Sequence, residues 1–351
     1  MPVNAQGLAA SGILKEHREA IAQRVTSLYF EDHPQLEQRW KGARQKCTED
    51  NRYHLDYLCE ALSFGQPDLF TEYVTWVAVL LDRLNIPGEA LASNLVLLQA
   101  VVSSTLQGNE AVLAAAYLDR ALVKIGGTLP EIPGQLEGTS ALDVLARDYM
   151  AALLRGERHV ASQQIMAAVE GGIAIKDIYL QVFQQAQREV GRLWQSNQMS
   201  VAQEHYCTAC TQMIMSQLYP RIFSAQKNGR RLVSTCVGGD LHEIGVRMVT
   251  DFFEIEGWDT FYLGANTRIP GVLQQVAEHT PHILAISATL SIHVQAVADL
   301  IAATRASGMA PHILVGGAPF NSLPGLWKDV GADGYAPDAA AAIAMAGIWS
   351  A

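Results

Sequence analysis

The residues with the clearest potential for chemistry lie in one short segment, Asp240-Leu241-His242-Glu243-Ile244-Gly245, which follows a predicted strand. A neutral imidazole such as that of His242 is a good ligand for a metal ion. Asp240 can accept a hydrogen bond from the other ring nitrogen, which fixes the tautomer and makes the ligand more basic. Gly245 permits close approach of the backbone where the next helix begins. A histidine in a loop is more often an ordinary polar residue, so this segment alone leaves both interpretations open.

Three further segments follow predicted strands in the same part of the chain: Gly264-Ala265-Asn266-Thr267, Ser287-Ala288-Thr289-Leu290 and Val315-Gly316-Gly317-Ala318-Pro319. Together with the Asp-x-His-x-x-Gly pattern, their order and spacing resemble the Rossmann-like domains that bind cobalamin with its own base displaced. The resemblance implies that His242 coordinates cobalt from the lower face, and that Gly316 and Gly317 leave room for the buried base. The other residues that it places against the cofactor are Asp240, Leu241, Gly245, Ser287, Thr289 and Leu290.

A second pattern, Trp194 separated by nine residues from Glu204-His205, lies in the helical segment before the sheet. It resembles the light-sensing adenosylcobalamin repressors of carotenoid genes. That resemblance implies that Trp194 covers the adenosyl group, that Glu204 and His205 help to hold it, and that His205 is a candidate upper cobalt ligand after light. An aromatic ring can secure a purine, and a carboxylate can bind ribose hydroxyls.

One residue departs from the repressor pattern. Gln195 stands where the repressors carry a histidine that captures cobalt after illumination, and glutamine is a poor cobalt ligand. The lit state therefore differs from theirs or uses His205. The alternative for the whole pattern is that Trp194 is a core residue and Glu204-His205 a solvated helix start.

The N-terminal third is rich in aromatic residues at helical spacing. Tyr53 and Tyr57 share one helix face, and Tyr73 and Trp76 share another. With the cobalamin motifs, this arrangement resembles the photocobilins, which combine a cobalamin module with a globin-like domain that carries biliverdin. The resemblance implies a bilin bound by Tyr53, His54, Tyr57, Tyr73 and Trp76, with Arg52 at a propionate. Two alternatives stay open: a helical dimerisation core, or haem with His54 as its axial ligand.

The elements that position these residues follow from the apolar periodicity. Residues 12–127 are predicted to be helical, and a Gly- and Pro-rich segment then breaks the pattern. Helices are predicted over 141–154, 158–170, 175–196 and 200–226, and strands over 232–237, 258–263, 283–287 and 313–315. Strands that alternate with helices predict a doubly wound parallel sheet.

We therefore predict a multidomain α and α/β protein in three parts. Residues 1–135 form a globin-like, all-α bilin domain, and residues 138–227 form a four-helix bundle that caps the upper face of cobalamin. Residues 230–351 form the Rossmann-like cobalamin-binding domain.

Composition excludes several classes of protein. Of the 351 residues, 49% are hydrophobic and 17% charged, which argues against disorder. The net charge of -10 argues against direct binding to DNA or anionic lipid, and no basic helix-turn-helix pattern is present. The sequence has neither the pattern of a signal peptide nor an apolar run long enough to span a membrane. We expect a cytoplasmic protein.

The predicted function is that of a light sensor and not of a turnover enzyme. Light would cleave the Co–C bond above His242, change domain or subunit packing, and signal to an unidentified protein partner or through self-association as a homo-oligomer. One alternative is a corrinoid methyl carrier of a methyltransferase system, which explains His242 equally well but not Trp194 with Glu204-His205. Another is a cobalamin-binding antirepressor.

Overall fold

The structure, a computed structural model, describes residues 4–39 and 41–349. It divides the chain into two compact units, Met1–Glu131 and Ile132–Ala351. Among the described residues, no helix combines the length and the apolar composition needed to cross a bilayer.

The first unit is helical, as predicted. Its described helices are α1 (Ala5–Asp32), α2 (Pro34–Arg39), α3 (Ala43–Phe64), α4 (Pro67–Arg83), α5 (Gly88–Thr105) and α6 (Gly108–Ile125). Gly65 ends α3 in the left-handed conformation (φ 64°), and Pro67 begins α4 where its missing N–H costs nothing. Leu55, Leu58 and Leu62 recur at helical spacing and are fully buried where α3 packs on α1.

The second unit begins with helices that surround a separate core. They are α7 (Ala141–Leu154), α8 (Arg158–Glu170), α9 (Ile175–Asp177), a π-helical turn (Ile178–Phe183), α10 (Gln184–Gln195), α11 (Val201–Gln217) and α12 (Tyr219–Ile222). Ser140 and Ser200 begin α7 and α11 with reciprocal capping boxes. Tyr149, Tyr179 and Phe183 are fully buried in this core, which extends to Phe252 of the following domain.

Two helix predictions were wrong in detail. The helix predicted over 175–196 contains the π-helical turn. The helix predicted over 200–226 ends at Gln217, because Pro220 has no N–H to donate to the carbonyl of Ser216.

A parallel sheet follows, as the alternation of strands and helices predicted. Its strands are β1 (Arg231–Cys236), β2 (Asp259–Tyr262), β3 (Ile283–Ser287), β4 (His312–Gly316) and β5 (Gly334–Tyr335), in the order β2-β1-β3-β4-β5. The two-residue strand β5 was not predicted, because it is too short to show a periodic pattern. The main covering helices are α13 (Ile244–Ile255), α14 (Ile269–His279), α15 (Val294–Ala306) and α18 (Ala339–Ile348).

The strand order determines where a ligand can bind. The chain leaves β1 towards β2 on one side and later returns to place β3 on the other, so a crevice opens at the carboxyl ends of β1 and β3. The register pairs Cys236 with Ser287 and Ser287 with Gly316. The segments that follow β1, β3 and β4 therefore meet at one edge of the sheet.

Candidate functional site

The loop after β1 is built around the buried carboxylate of Asp240. Its Oδ1 accepts hydrogen bonds from Nδ1 of His242 (2.8 Å) and from the backbone N–H of the same residue (3.0 Å). Its Oδ2 accepts from the backbone N–H of Thr289 (2.5 Å), in the loop after β3. One carboxylate thus joins the two loops that flank the crevice.

The hydrogen bonds also determine the charges of the pair. Burial alone would raise the pKa of Asp240, but the hydrogen bonds from His242 and Thr289 and the nearby His293 hold this pKa well below its ordinary value. The hydrogen bond to Asp240 raises the pKa of His242 against the opposing effect of burial. Asp240 is therefore ionised and orients the imidazole.

The His242 ring presents its other nitrogen outward. Its side chain is 55% exposed, whereas that of Asp240 is fully buried. Because Nδ1 donates to Asp240, the lone pair of the neutral ring is on Nε2. Leu241, beside it, is 71% exposed. This arrangement suits one axial metal ligand with an apolar neighbour.

The loop after β2 is hydrogen-bonded to the loop that carries His242. The backbone N–H of Asn266 donates to the carbonyl of Asp240 (2.9 Å), and the Asn266 side chain accepts from the backbone N–H of Gly239 (2.7 Å). Thr267 forms an isolated bridge with Val237. These contacts give a structural role to the segment Gly264-Ala265-Asn266-Thr267, which in the sequence was notable only because it follows a predicted strand.

The glycine pair after β4 also packs against the protein's own backbone. Gly317 has φ 111°, and a Cβ there would lie 1.9 Å from the carbonyl oxygen of Ala288. A Cβ on Gly316 would lie 3.0 Å from the carbonyl oxygen of Ala336. Gly317 therefore allows close approach of the chain after β4 to the chain after β3, and Gly316 allows close approach to the chain after β5, whether or not they also leave room for a base.

His293 is a site residue that the sequence analysis missed. Its Nδ1 is buried, has no hydrogen-bond partner and lies 3.6 Å from Oδ2 of Asp240. It occupies a 3₁₀ turn (Ser291–His293) directly after the Ser287-Ala288-Thr289-Leu290 segment. In the sequence, its position shortly after that segment was the signal that could have identified it.

The predicted upper-face residues lie on α10 and α11. Trp194 is partly buried near the end of α10, and Glu204 and His205 lie in the first turn of α11. Glu204 accepts from Thr208 (2.9 Å) and pairs with His205, whose side chain is 74% exposed.

The start of α11 lies close to the His242 loop. After the dominant effects of Asp240 and burial, the charge of Glu204 contributes to the raised pKa of His242. The structure thus brings Glu204 and His242, 38 positions apart in the chain, into one region.

The first unit brings together three of the six predicted bilin residues. The Tyr73 hydroxyl lies 2.8 Å from Nδ1 of His54, and its ring stacks on Tyr57 with centroids 3.6 Å apart. Burial lowers the pKa of His54 to about 4, so this imidazole is neutral at pH 7.

The other three bilin candidates lie in different surroundings. Arg52 forms an ion pair with Glu19 (Nε to Oε2, 2.8 Å), so its guanidinium already has a carboxylate partner. Tyr53 and Trp76 are 50% and 38% exposed. The predicted grouping of all six on one wall stays a prediction.

A polar cluster that the sequence did not reveal surrounds Cys47. The amide nitrogens of Asn51 and Asn94 lie 3.5 Å and 3.6 Å from its Sγ. The amide oxygens of both asparagines are buried without a hydrogen-bond partner. No sequence pattern marked this cluster, because Asn94 comes from α5 whereas Cys47 and Asn51 lie on α3.

The donor set around His242 fits a corrin better than a bare metal ion. Across residues 4–39 and 41–349, no group of three or more His, Cys, Asp or Glu side chains is arranged to hold a metal ion. A corrin supplies the equatorial ligands itself, so one carboxylate-oriented imidazole is sufficient.

Comparison with protein families agrees with this geometry. Residues 230–344 match a family described as B12 binding domain, and residues 145–219 match a second family with the same description. Residues 1–125 match the family described as Phycobilisome protein.

Individual relatives are corrinoid proteins. Dimethylamine corrinoid protein 3 of Methanosarcina acetivorans is 30% identical over 125 residues, which cover 35% of this chain and 57% of that protein. Dimethylamine corrinoid protein 1 of the same organism is 25% identical over 52% of this chain and 88% of its own length. The match to the former thus spans little more than half of that relative.

A solved structure shares the fold of the second unit's elements. The monomethylamine corrinoid protein of Methanosarcina barkeri superposes with a TM-score of 0.53 and 21% identity, over 59% of this chain and 98% of that one. At this identity the likeness shows the fold alone.

These matches support a cobalamin-binding protein, as the motifs predicted. The relatives are named as corrinoid proteins and not as methyltransferases, in agreement with the prediction that the chain is not itself a turnover enzyme. The named relatives favour the corrinoid-carrier alternative over the light sensor. The choice of adenosylcobalamin, the binding of biliverdin and the light response stay predictions.

Proposed function

We propose that this chain is a cobalamin-dependent light sensor that holds adenosylcobalamin, base-off, above His242 and a biliverdin in the unit Met1–Glu131. One observation carries the proposal: a segment that matches the Phycobilisome protein family precedes a B12-binding segment in the same chain. The carboxylate-oriented imidazole of His242 supplies the chemistry on the cobalamin side.

The lower face has a fixed role in this proposal. Adenosylcobalamin, when bound, supplies a Co–C bond that visible light can cleave. Asp240 keeps the Nδ1–H tautomer of His242, so the Nε2 lone pair would be available to hold cobalt. The Thr289 N–H holds that carboxylate in place.

The upper face is where the change occurs. Trp194 would pack against the adenosyl group, and Glu204 would bind its ribose hydroxyls. The exposed His205 would be available as a cobalt ligand after light, a role that Gln195 cannot fill. The resulting movement of α11 is the signal to a partner protein or to a second copy of the chain.

The bilin side relies on the buried His54 and the partly buried Tyr57 and Tyr73 of the first unit. The stacked rings of Tyr57 and Tyr73 form a flat wall for a conjugated chromophore. The neutral His54, hydrogen-bonded to Tyr73, orients the tyrosine hydroxyl. Arg52 binds a propionate only if it exchanges its ion pair with Glu19.

A corrinoid methyl carrier is the second candidate, and the relatives favour it. In that case the upper face holds a methyl group and the partner is a methyltransferase. His242 and Asp240 keep the same roles. This candidate gives no role to residues 1–125, which match the Phycobilisome protein family.

Absorption spectra of the full chain distinguish the two. Protein supplied with adenosylcobalamin and biliverdin is expected to show a cobalamin band that green light in air, with oxygen as the oxidant, converts to the hydroxocobalamin form, and a separate red band. Tyr73→Phe removes the hydroxyl that is hydrogen-bonded to His54. This variant is expected to shift the red band and to leave the cobalamin bands unchanged.

Two results would count against the sensor. If the chain retains methylcobalamin but not adenosylcobalamin, and donates its methyl group to a methyltransferase, the carrier is correct. If biliverdin gives no red band, the bilin assignment fails even where cobalamin photolysis is seen.

A further inference from the structure

Glu243, directly after the axial histidine, accepts hydrogen bonds from three different elements. Gln212 of α11 donates from Nε2 to Oε1 (2.7 Å). The Tyr262 hydroxyl at the end of β2 and the backbone N–H of Ala265 donate to Oε2 (2.9 Å and 3.1 Å). A Cβ on Gly264 would lie 3.2 Å from that same oxygen, so the carboxylate is closely enclosed.

Gln212 lies on the helix that begins with Glu204-His205. Gln212 lies eight positions after Glu204, about two turns of α11. One turn beyond Gln212, the hydroxyl of Ser216 accepts from Arg247 of α13 (2.7 Å). Since Arg247 is one turn beyond Glu243, two successive contacts join the same faces of α11 and α13.

The His242 loop is therefore held on both sides of the histidine. On one side Asp240 is bound to the loop after β3 by the N–H of Thr289. On the other side Glu243 is bound to α11 by Gln212. We propose that Glu243 is a positioning residue that couples α11, on the upper side of the corrin, to the strength with which His242 coordinates cobalt from below.

The geometry explains how a small movement would be transmitted. A hydrogen bond of 2.7 Å is lost once the two atoms separate beyond about 3.5 Å. A shift of α11 by roughly one ångström therefore either breaks the Gln212–Glu243 contact or pulls the backbone next to His242. Either result changes the direction in which the imidazole points.

A carboxylate is required because all three partners of Glu243 are donors. A glutamine would place its amide hydrogens against one of them and leave a partly buried polar group without a partner. Burial and the neighbouring Glu243 raise the pKa of Tyr262, so its hydroxyl remains a donor. The proposal rests on His242 as the lower ligand and holds for a sensor and for a carrier.

Electron paramagnetic resonance of the full chain with cob(II)alamin tests the coupling. In protein labelled with ¹⁵N-histidine, an axial imidazole gives a two-line nitrogen splitting, whereas the cofactor's own base gives a three-line splitting, so the spectrum reports the ratio of His-on to His-off protein. Gln212→Leu is expected to lower that ratio about tenfold, in keeping with a hydrogen bond to a charged group. The matched control is Gln217→Leu on the same helix, because Gln217 bonds only to Ser162 of α8 in the described contacts.

Hydrogen exchange of the protein without cobalamin provides a second readout. Amide hydrogens of residues 241–245 are expected to exchange faster in Gln212→Leu than in Gln217→Leu. Glu243→Gln is expected to reproduce the effect, and the double variant Gln212→Leu with Glu243→Gln is expected to add little.

The possible outcomes test the coupling separately from the assignment of His242 as the lower ligand. If the unmodified chain shows no two-line splitting from labelled histidine, or His242→Ala retains it, the lower-ligand assignment fails. If splitting is present but Gln212→Leu matches its control in both ratio and exchange, Glu243 does not couple the two faces.

Discussion

At the scale of single residues, the site depends on one buried carboxylate. Asp240 is fully buried, and its oxygens receive two hydrogen bonds from His242 and one from Thr289. A buried charge is tolerated only when such donors surround it. The same donors orient the imidazole, so structural stability and metal ligation depend on the same group.

Asp240→Asn tests this dependence. The amide has no charge and can bond to either tautomer of His242, so the ring is no longer held with Nε2 free. We expect cobalamin affinity to fall about 10- to 100-fold, as for other partners of metal-ligating histidines. Titration of the protein with hydroxocobalamin measures the change.

Asp333→Asn is the matched control. Asp333 also accepts a hydrogen bond from a backbone N–H of the sheet, that of Ile313 (2.6 Å), and pairs with Arg305. It lies near the start of β4, whereas the crevice is at the carboxyl ends of the strands. Equal affinities of the two variants would show that Asp240 has no specific role in ligation.

At the scale of elements, the helices before the sheet are joined to α13 by a buried hydrogen bond. Tyr179, in the π-helical turn, donates to Asp251 of α13 (2.8 Å). The same ring packs against Phe252. This joint supports the α11–α13 contact on which the proposed coupling depends.

The Asp251 carboxyl gives this joint a pH dependence. Burial raises its pKa to about 6, against the opposing effects of Tyr179 and Arg247. Because the folded state holds the proton more tightly, the contribution to stability is full below the unfolded pKa near 4 and is lost as pH rises through about 6.

We expect the unfolding free energy to include a term that falls by about 2 to 3 kcal/mol between pH 4 and pH 7. The difference between the unmodified chain and Asp251→Asn, measured by urea titration at each pH, isolates that term. A difference that is constant with pH would contradict it.

The close approach of β3 and β4 depends on a glycine. At Gly317 the backbone has φ 111°, and an added Cβ would meet the Ala288 carbonyl at 1.9 Å. Gly317→Ala is expected to lower the free energy of unfolding by about 3 kcal/mol or more, which includes the cost of moving a strand end.

Gly308→Ala provides the comparison, because Gly308 has φ 78° but nothing within 4 Å of a Cβ there. That variant bears only the backbone strain, about 1 to 2 kcal/mol. Thermal unfolding measures both, and equal losses would show that the Ala288 contact is relieved without cost.

At the scale of the whole molecule, two compact units with different family matches share one chain. The corrinoid relatives of known name account for about half of it. The light experiment belongs to this scale, because only the full chain can show whether two chromophores are held together. The variant Tyr73→Phe acts within the first unit and therefore tests whether the two sets of bands are separable.

Local chemistry was readable from the sequence because its determinants lie close together in the chain. Asp240 and His242 are two residues apart, so their hydrogen bond follows from the loop itself. The helical period of residues such as Leu55, Leu58 and Leu62 predicted helices. Short β-rich runs predicted four of the five strands.

Contacts between distant segments were decided by the tertiary structure. The sequence showed that Arg52 and Glu243 are polar but not that Arg52 pairs with Glu19 or that Glu243 binds Gln212. His293 was missed for the same reason, since only the strand order brings it to Asp240. Periodicity reports which face of an element is buried, whereas the partner of a side chain depends on which elements become neighbours.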